Sequence, residues 1–217
     1  MHHAHLALAS GILSCDRTKA MPQELFAFVV SLYKHAISQG SVDAMNDLGA
    51  LYYEMAASHG DEHAQENLGY CYYYGRDIPV NYERAFHYFA MGAFHGRLGS
   101  LYKIGDMYRK GYYVEKNPAE AFKIYVHCVG LMTHEDMSEF AGPVYLRLGQ
   151  LCLYGEGTDK DPEEALKCFQ IAERYLYDMV MSGELMYRGS LKAAIDGQAK
   201  ARKILMKKLP SLRWPQE

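Results

Sequence analysis

The sequence predicts an all-α chain built as a stack of short helix hairpins, and two observations predict it. A two-helix unit set out between Ala64 and Gly96 recurs, and its landmarks keep a common step. The Leu/Ile-Gly pair of its first helix stands at Leu48-Gly49, Leu68-Gly69, Ile104-Gly105 and Leu148-Gly149. The glycine closing that helix stands at Gly75, Gly111 and Gly155, the cap of the second helix at Asn81, Asn117 and Asp161, and its small residue at Ala85, Ala121 and Ala165. The three-copy landmarks advance by 36 and then 44 residues, inside the window that marks stacked repeats. The second observation is length. Helices of about a dozen residues are marginal alone because nucleation is costly, so each must bury its stripe against a neighbour, and the copies supply the neighbours.

Residues 1–21 lack this pattern and read as a poorly ordered leader. The Leu6–Leu13 run ending in Ser14-Cys15 resembles a lipoprotein signal, but histidines replace the basic front end and the apolar core is short. A cytoplasmic protein is the reading adopted, with export as a lipoprotein through Cys15 as the alternative. The array spans 22–175. Pro22 suits a first helical turn, and Val29, Leu32, Tyr33, Ile37 and Gly40 match Ala85, Tyr88, Phe89, Ala93 and Gly96 as a second helix without its first. Near 44–60 one repeat is truncated. Leu48 to Leu68 is 20 residues, 16 short of the period, which predicts one fused helix from about Val42 to Ser58 and an irregularity in the stack there.

The later copies carry better signals. Asn117-Pro118-Ala119-Glu120 and Asp161-Pro162-Glu163-Glu164 predict capping boxes in which cap and glutamate satisfy each other's backbone N–H. An eight-residue insertion near 130–143 should lengthen a helix or form a surface loop, with Gly142-Pro143 resetting the chain. Residues 176–217 predict a basic capping helix, with Leu185, Leu191, Ala194, Ile195, Ala201, Leu205 and Leu209 as its stripe and Pro210 and Pro215 ending it, because an array must finish on a helix with one polar face.

Composition narrows the function classes. No apolar run approaches the ~20 residues of a membrane span. Five cysteines without CxxC spacing favour a reduced compartment. The net charge of −3 hides a basic end, with eight Lys/Arg against two acids from Arg188 onward. No nucleic-acid motif accompanies it, so it reads as a solvated face and no nucleic-acid partner is expected. Zinc spacing, HExxH, GxSxG and a phosphate-cradling loop are all missing, which predicts no cofactor, no metal and no catalytic residue.

An Ala-x-x-x-Leu-Gly-x-x-Tyr helix, a glycine turn and an Asp/Asn-capped helix with Ala, an aromatic pair and a closing small-x-x-Gly together resemble Sel1-like repeats, relatives of tetratricopeptide repeats. The resemblance covers Pro22 to Tyr175 and departs at the truncation, the insertion and the turns, where Asp77 and Tyr113 stand in place of the second glycine. It implies a right-handed α-α superhelix, a solenoid of hairpins, acting as a non-catalytic scaffold that binds a protein or peptide segment on a concave face lined by first helices. Carried over by position, that face would show His63, Glu66, Tyr70, Tyr73, Tyr74, Tyr102, Asp106, Arg109, Lys110, Gln150 and Tyr154, with Leu146 and Leu153 beside them and Asn46, Tyr53 and Glu54 extending it. Tyrosine combines area with a hydroxyl, as binding hot spots do. The resemblance also implies an alternative, a β-lactam or cell-wall-fragment binder or hydrolase. The members so associated carry regularly spaced cysteine pairs, whereas Cys71, Cys128, Cys152 and Cys168 fall at unrelated or core positions and read as buried small hydrophobes. The degenerate N-terminal end leaves an apolar face that a second copy can cover, a homo-oligomer in prospect.

Overall fold

A computed structural model describes residues 23–76 and 78–208. The leader, Cys15, Pro22, Asp77, Leu209, Pro210, Pro215 and the side chains of Asp43 and Asn46 lie outside the described residues. Those residues are helical and hold no strand. They fall into two units, 1–91 and 92–217. The first contains α1 (Gln23–Ser38), α2 (Val42–Ser58), α3 (Glu62–Tyr74) and α4 (Tyr82–Phe94), whose last turn begins the second unit. The second continues with α5 (Leu98–Lys110), α6 (Pro118–Leu131), α7 (His134–Tyr154), α8 (Pro162–Met181), a short 3-10 turn at Leu185–Tyr187 and α9 (Arg188–Lys208).

Each hairpin closes through the same backbone bonds. Gly75, Gly111 and Gly155 take left-handed φ of 68°, 74° and 72°, and their N–H groups donate to the carbonyls of Cys71, Met107 and Leu151. These are left-handed glycine caps on first helices. The cap of the second helix then reaches back across the turn. Asn81, Asn117 and Asp161 donate their N–H to the carbonyls of Tyr72, Tyr108 and Cys152 at 2.9, 2.8 and 2.9 Å. This corrects the expected capping boxes. The cap side chains do accept from Arg84, Glu120, Glu163 and Glu164 N–H, but the cap N–H is already used by the preceding helix. Glu120 and Glu164 accept instead from Lys123 and Lys167. A reciprocal box forms at Thr133 and Asp136, where the sequence reading placed none.

The recurrent Leu-Gly step is a seat for an aromatic ring. A Cβ on Gly69 would lie 2.5 Å from the Phe89 ring, on Gly105 2.7 Å from Tyr125, and on Gly149 2.8 Å from Phe169. Each ring belongs to the second helix of the same hairpin. Around it the small residues Ala85, Ala121 and Ala165 are fully buried, so the helices approach closely. Phe169 is held from both sides, since a Cβ on Gly197 of α9 would come within 2.6 Å of it.

The truncated copy follows the same logic. Helix α2 spans Val42–Ser58 as expected. Its start has the cap of a first helix, with Ser41 accepting from Ala44 N–H as Asp61 does from Ala64. Its end has the exit of a second helix: Asp61 N–H donates to the Ala56 carbonyl as Ser41 does to Ala36 and Arg97 to Gly92, with Gly60, Gly40 and Gly96 at φ 89°, 86° and 84°. One helix therefore serves as both halves of a repeat. A Cβ on Gly49 would meet no heavy atom within 4 Å, because the helix carrying the ring it would seat has been lost.

The insertion lengthens a helix, one of the two expected outcomes, and it is the helix after the turn that is lengthened. Gly142-Pro143 do not reset the chain; Pro143 lies inside the 21-residue α7. In the register of α5, Pro143 matches Gly99, the second residue of a first helix, a place where proline is at home; in α7 the same proline is interior and removes one N–H from the helix ladder. Residues 134–141 are added ahead of that point and simply begin the helix earlier. The glycine that would turn the chain is replaced by Met132, which is extended at φ −60°, ψ 122°. At the other end, α9 buries Ala194, Gly197, Gln198 and Ala201, whereas Leu185 and Ile195 of the expected stripe are exposed. The buried edge is set by the approach of Gly197 to Phe169, which rotates Ile195 outward.

The turn after α5 departs from its counterpart after α7. Tyr113 adopts φ 65° where Gly157 adopts 75°, and a side chain in the left-handed region costs about 1–2 kcal/mol. Tyr113 is exposed, so Tyr113→Gly should raise stability by about 1 kcal/mol once glycine's unfolded-state entropy is offset. A higher urea midpoint of the full chain checks this.

Candidate binding face

The eleven residues expected on the first-helix face divide by burial. His63, Tyr74, Lys110 and Tyr154 are exposed or partly so, and Tyr70, Arg109 and Gln150 are half-buried. Glu66, Tyr73, Tyr102 and Asp106 are buried, and so are Leu146 and Leu153. The exposure expected of these six is therefore corrected. A first helix packs against its own second helix and also against neighbouring helices, so its free arc is narrower than the spacing alone allowed. In the first unit, Tyr73 packs edge-on to Phe89, Tyr74 and Tyr82 at centroid separations of 6.1, 4.8 and 5.7 Å. Tyr70 meets Phe89 at 5.3 Å and stacks on Tyr74. Tyr53 is exposed, but Glu54 turns inward and accepts from Tyr72 OH at 2.8 Å, while Arg84 donates to the same hydroxyl at 2.8 Å. Burial and the Glu54 charge raise the Tyr72 pKa, so the phenol stays neutral and serves as a donor.

In the second unit the buried residues form one polar cluster. Asp106 of α5 is 1% exposed. Its Oδ1 accepts from Tyr125 OH at 2.8 Å and from Arg147 Nε at 2.9 Å, and Lys103 Nζ lies 3.6 Å from Oδ2. Arg147 Nη2 also points at Tyr102 OH, 3.5 Å away. Burial pushes the Asp106 pKa up, but Arg147, Lys103 and the hydrogen bonds outweigh it and hold the carboxyl below its usual range. Burial and the Asp106 charge push Tyr125 well above its usual value.

The cluster follows from the repeat. Tyr70, Asp106 and Gln150 occupy one repeat position, beside the seated rings Phe89, Tyr125 and Phe169. The ring with a hydroxyl is the one that faces a carboxylate, since a buried phenol needs a partner. The sequence reading missed Arg147. Its signal was available, because Lys103 and Arg147 share a repeat position 44 residues apart and flank the acid between them.

The cysteines take no part. Cys128, Cys152 and Cys168 are free and buried, as expected, while Cys71 is only half-buried. Burial pushes the Cys128 and Cys168 thiols up to about 12.

Antiparallel helix pairs joined by left-handed glycine turns, each seating an aromatic ring on a glycine, define an α-solenoid of helix hairpins. The chain belongs to the Sel1 repeat family, which matches residues 31–61, 62–93, 99–125 and 143–174. Among solved structures it is similar to a Sel1 repeat protein from Oxalobacter formigenes, with 21% identity over 87% of this chain and 78% of that one, at a TM-score of 0.51. It is also similar to Helicobacter pylori cysteine rich protein B, with 24% identity over 63% of this chain and 92% of that one, at a TM-score of 0.44. No curated protein matches it. Among the described residues no helix is long and apolar enough to cross a membrane.

Proposed function

We propose that the protein is a non-catalytic scaffold that binds a protein or peptide segment on the exposed surface of its first helices, within one unit or the other. The observation that carries this reading is the pair Tyr74 and Tyr154. They occupy the same repeat position, in the last turn before Gly75 and Gly155, and are 49% and 55% exposed. Each ring has a contact within the chain, Tyr74 with Tyr70 and Tyr73 and Tyr154 with Lys200, yet about half its surface stays open, and exposed tyrosine gives contact area at low entropic cost. Tyr70, His63, Arg109, Lys110 and Gln150 lie on first helices as well and are accessible in part or in full.

The electrostatics favour binding over chemistry. A general acid or base works best with a pKa near the operating pH, whereas Asp106 is shifted down and Tyr125 up, both away from neutrality. The thiols of Cys128 and Cys168 are held protonated, and a nucleophilic cysteine must reach the thiolate.

The test is a peptide-display selection on the full chain, followed by binding of the selected peptides to Tyr74→Ser and Tyr154→Ser proteins whose helicity is intact. Loss of about tenfold or more in affinity is expected for at least one variant, as for a hot-spot tyrosine. Unchanged affinity in both would remove these tyrosines, and with them the proposed face.

A further inference from the structure

We propose that the segment bound by the second unit is acidic, and that Arg147 is the anchor that meets its carboxylates. This inference rests on the scaffold reading above and specifies the partner's chemistry.

Arg147 is held from its inward side. Its Nε donates to Asp106, which is itself fixed by Tyr125 OH and by the neighbouring Lys103. The inward side of the guanidinium is thereby committed, with Tyr102 OH beside Nη2. A guanidinium carries five N–H donors in a rigid fork; here Nε and Nη2 face Asp106 and Tyr102, Nη1 has no acceptor among the described residues, and the side chain retains 21% exposure. Asp106 is closed off from solvent, so it orients the arginine without competing for a ligand at the surface. An arginine prepared in this way offers its outer edge to a carboxylate with little further ordering to do, and charged forks of this kind give the stronger hydrogen bonds.

Two further cations, Arg109 and Lys200, lie on the neighbouring helices of the same unit. Arg109 lies one turn beyond Asp106 on α5, and no carboxylate among the described residues pairs with it. On α9, Lys200 Nζ donates to Tyr154 OH at 3.3 Å, so its ammonium stands beside the exposed tyrosine and likewise pairs with no carboxylate among the described residues. Gln150 lies between, one turn from Arg147. The band Arg109, Arg147, Gln150, Tyr154 and Lys200 crosses three helices of one unit, and its accessible members are cationic or neutral. Arginines near a helix C-terminus also suit the helix dipole, but that accounts for Arg109 alone, since Arg147 sits mid-helix and Lys200 is on α9.

The experiment measures fluorescence anisotropy of labelled, C-terminally amidated peptides against the full chain. One peptide carries Glu residues spaced by Ser, Gly and Tyr; its counterpart has Gln at every Glu. We expect the Glu peptide to bind about tenfold tighter at low salt, with the difference shrinking as salt rises. Arg147→Lys keeps a cation facing Asp106 but cannot offer a forked edge, and should cost about tenfold for the Glu peptide only. The double variant Arg109→Gln/Lys200→Gln leaves the buried cluster intact and should cost about threefold or more. Equal affinity for the two peptides overturns the proposal, as does an unchanged Glu-peptide affinity in the double variant. Two further arms separate other ligands: a Gln peptide with a free C-terminus, and a single-stranded oligonucleotide. Tighter binding of either than of the amidated Glu peptide overturns the acidic side-chain assignment. If neutral peptides bind in a Tyr74- or Tyr154-dependent way while charge has no effect, the scaffold reading stands and this one falls. If no peptide binds, both fall.

Discussion

Asp106→Ala should cost the second unit about 3–5 kcal/mol, the typical loss on removing one partner from a buried ion pair. The substitution strands Arg147 without its Nε acceptor and removes the acceptor for Tyr125 OH at 2.8 Å. Urea unfolding of the full chain, followed by tyrosine fluorescence and by helicity, measures it. Tyr125→Phe is the informative companion. It removes one hydrogen bond to a charged acceptor but leaves the ion pair, and it restores the residue type found at the two equivalent positions, Phe89 and Phe169. Its cost should be about 1.5–3 kcal/mol. The pH dependence has a definite sign. The Asp106 pKa is lower folded than unfolded, so its stabilisation is complete above the ordinary aspartate value of about 4 and is lost as pH falls through the folded value. The gap between wild type and Asp106→Ala should therefore narrow in acid and stay constant from about pH 5 to 8. A gap independent of pH down to the acid transition would show that Asp106 is not the charged partner.

Gly157→Ala should be the other large effect. Gly157 holds φ 75°, and its Cβ would fall inside the backbone of Pro118 and Ala119 at the start of α6. Backbone cannot swing aside as a flexible side chain can, so either the α7–α8 turn or the start of α6 must move. Left-handed strain and overpacking together predict a loss of about 2–4 kcal/mol. Gly183→Ala isolates the strain, since φ there is 106° with nothing within 4 Å, and should cost about 1–2 kcal/mol. Thermal unfolding midpoints decide it: equal shifts in the two variants would mean that the contact with α6 contributes nothing.

The repeat register was legible because it rests on local chemistry. Gly75, Gly111 and Gly155 fix turns, Asn81, Asn117 and Asp161 fix helix starts, and the fused α2 follows from counting 16 missing residues. Which residues are displayed was less legible, for a physical reason. A 3.6-residue period shows which stripe meets the partner helix of the hairpin, but the width of the remaining arc depends on how closely neighbouring helices approach. Tyr73, Tyr102 and Asp106 lie within that covered margin. Arg147 is harder to read because its role comes from Asp106, 41 residues earlier, and only the repeat register, through Lys103, joins the two. The expected reciprocal boxes at Asn117 and Asp161 failed for a similar cause: their N–H groups were taken by carbonyls of the preceding helix, a bond that composition does not announce.

The joints of this chain are interchangeable in a way its side chains are not. Where a second helix begins, the same N–H closes on the carbonyl nine residues earlier at Tyr72, Tyr108 and Cys152; where α2, α3 and α5 begin, the same N–H closes on the carbonyl five residues earlier at Ala36, Ala56 and Gly92. Because both splices are made by main chain, a whole hairpin cut at those points carries its own fittings. Exchange of such cassettes, or recombination that drops part of one as at α2, alters what the protein displays while leaving the rules of assembly untouched.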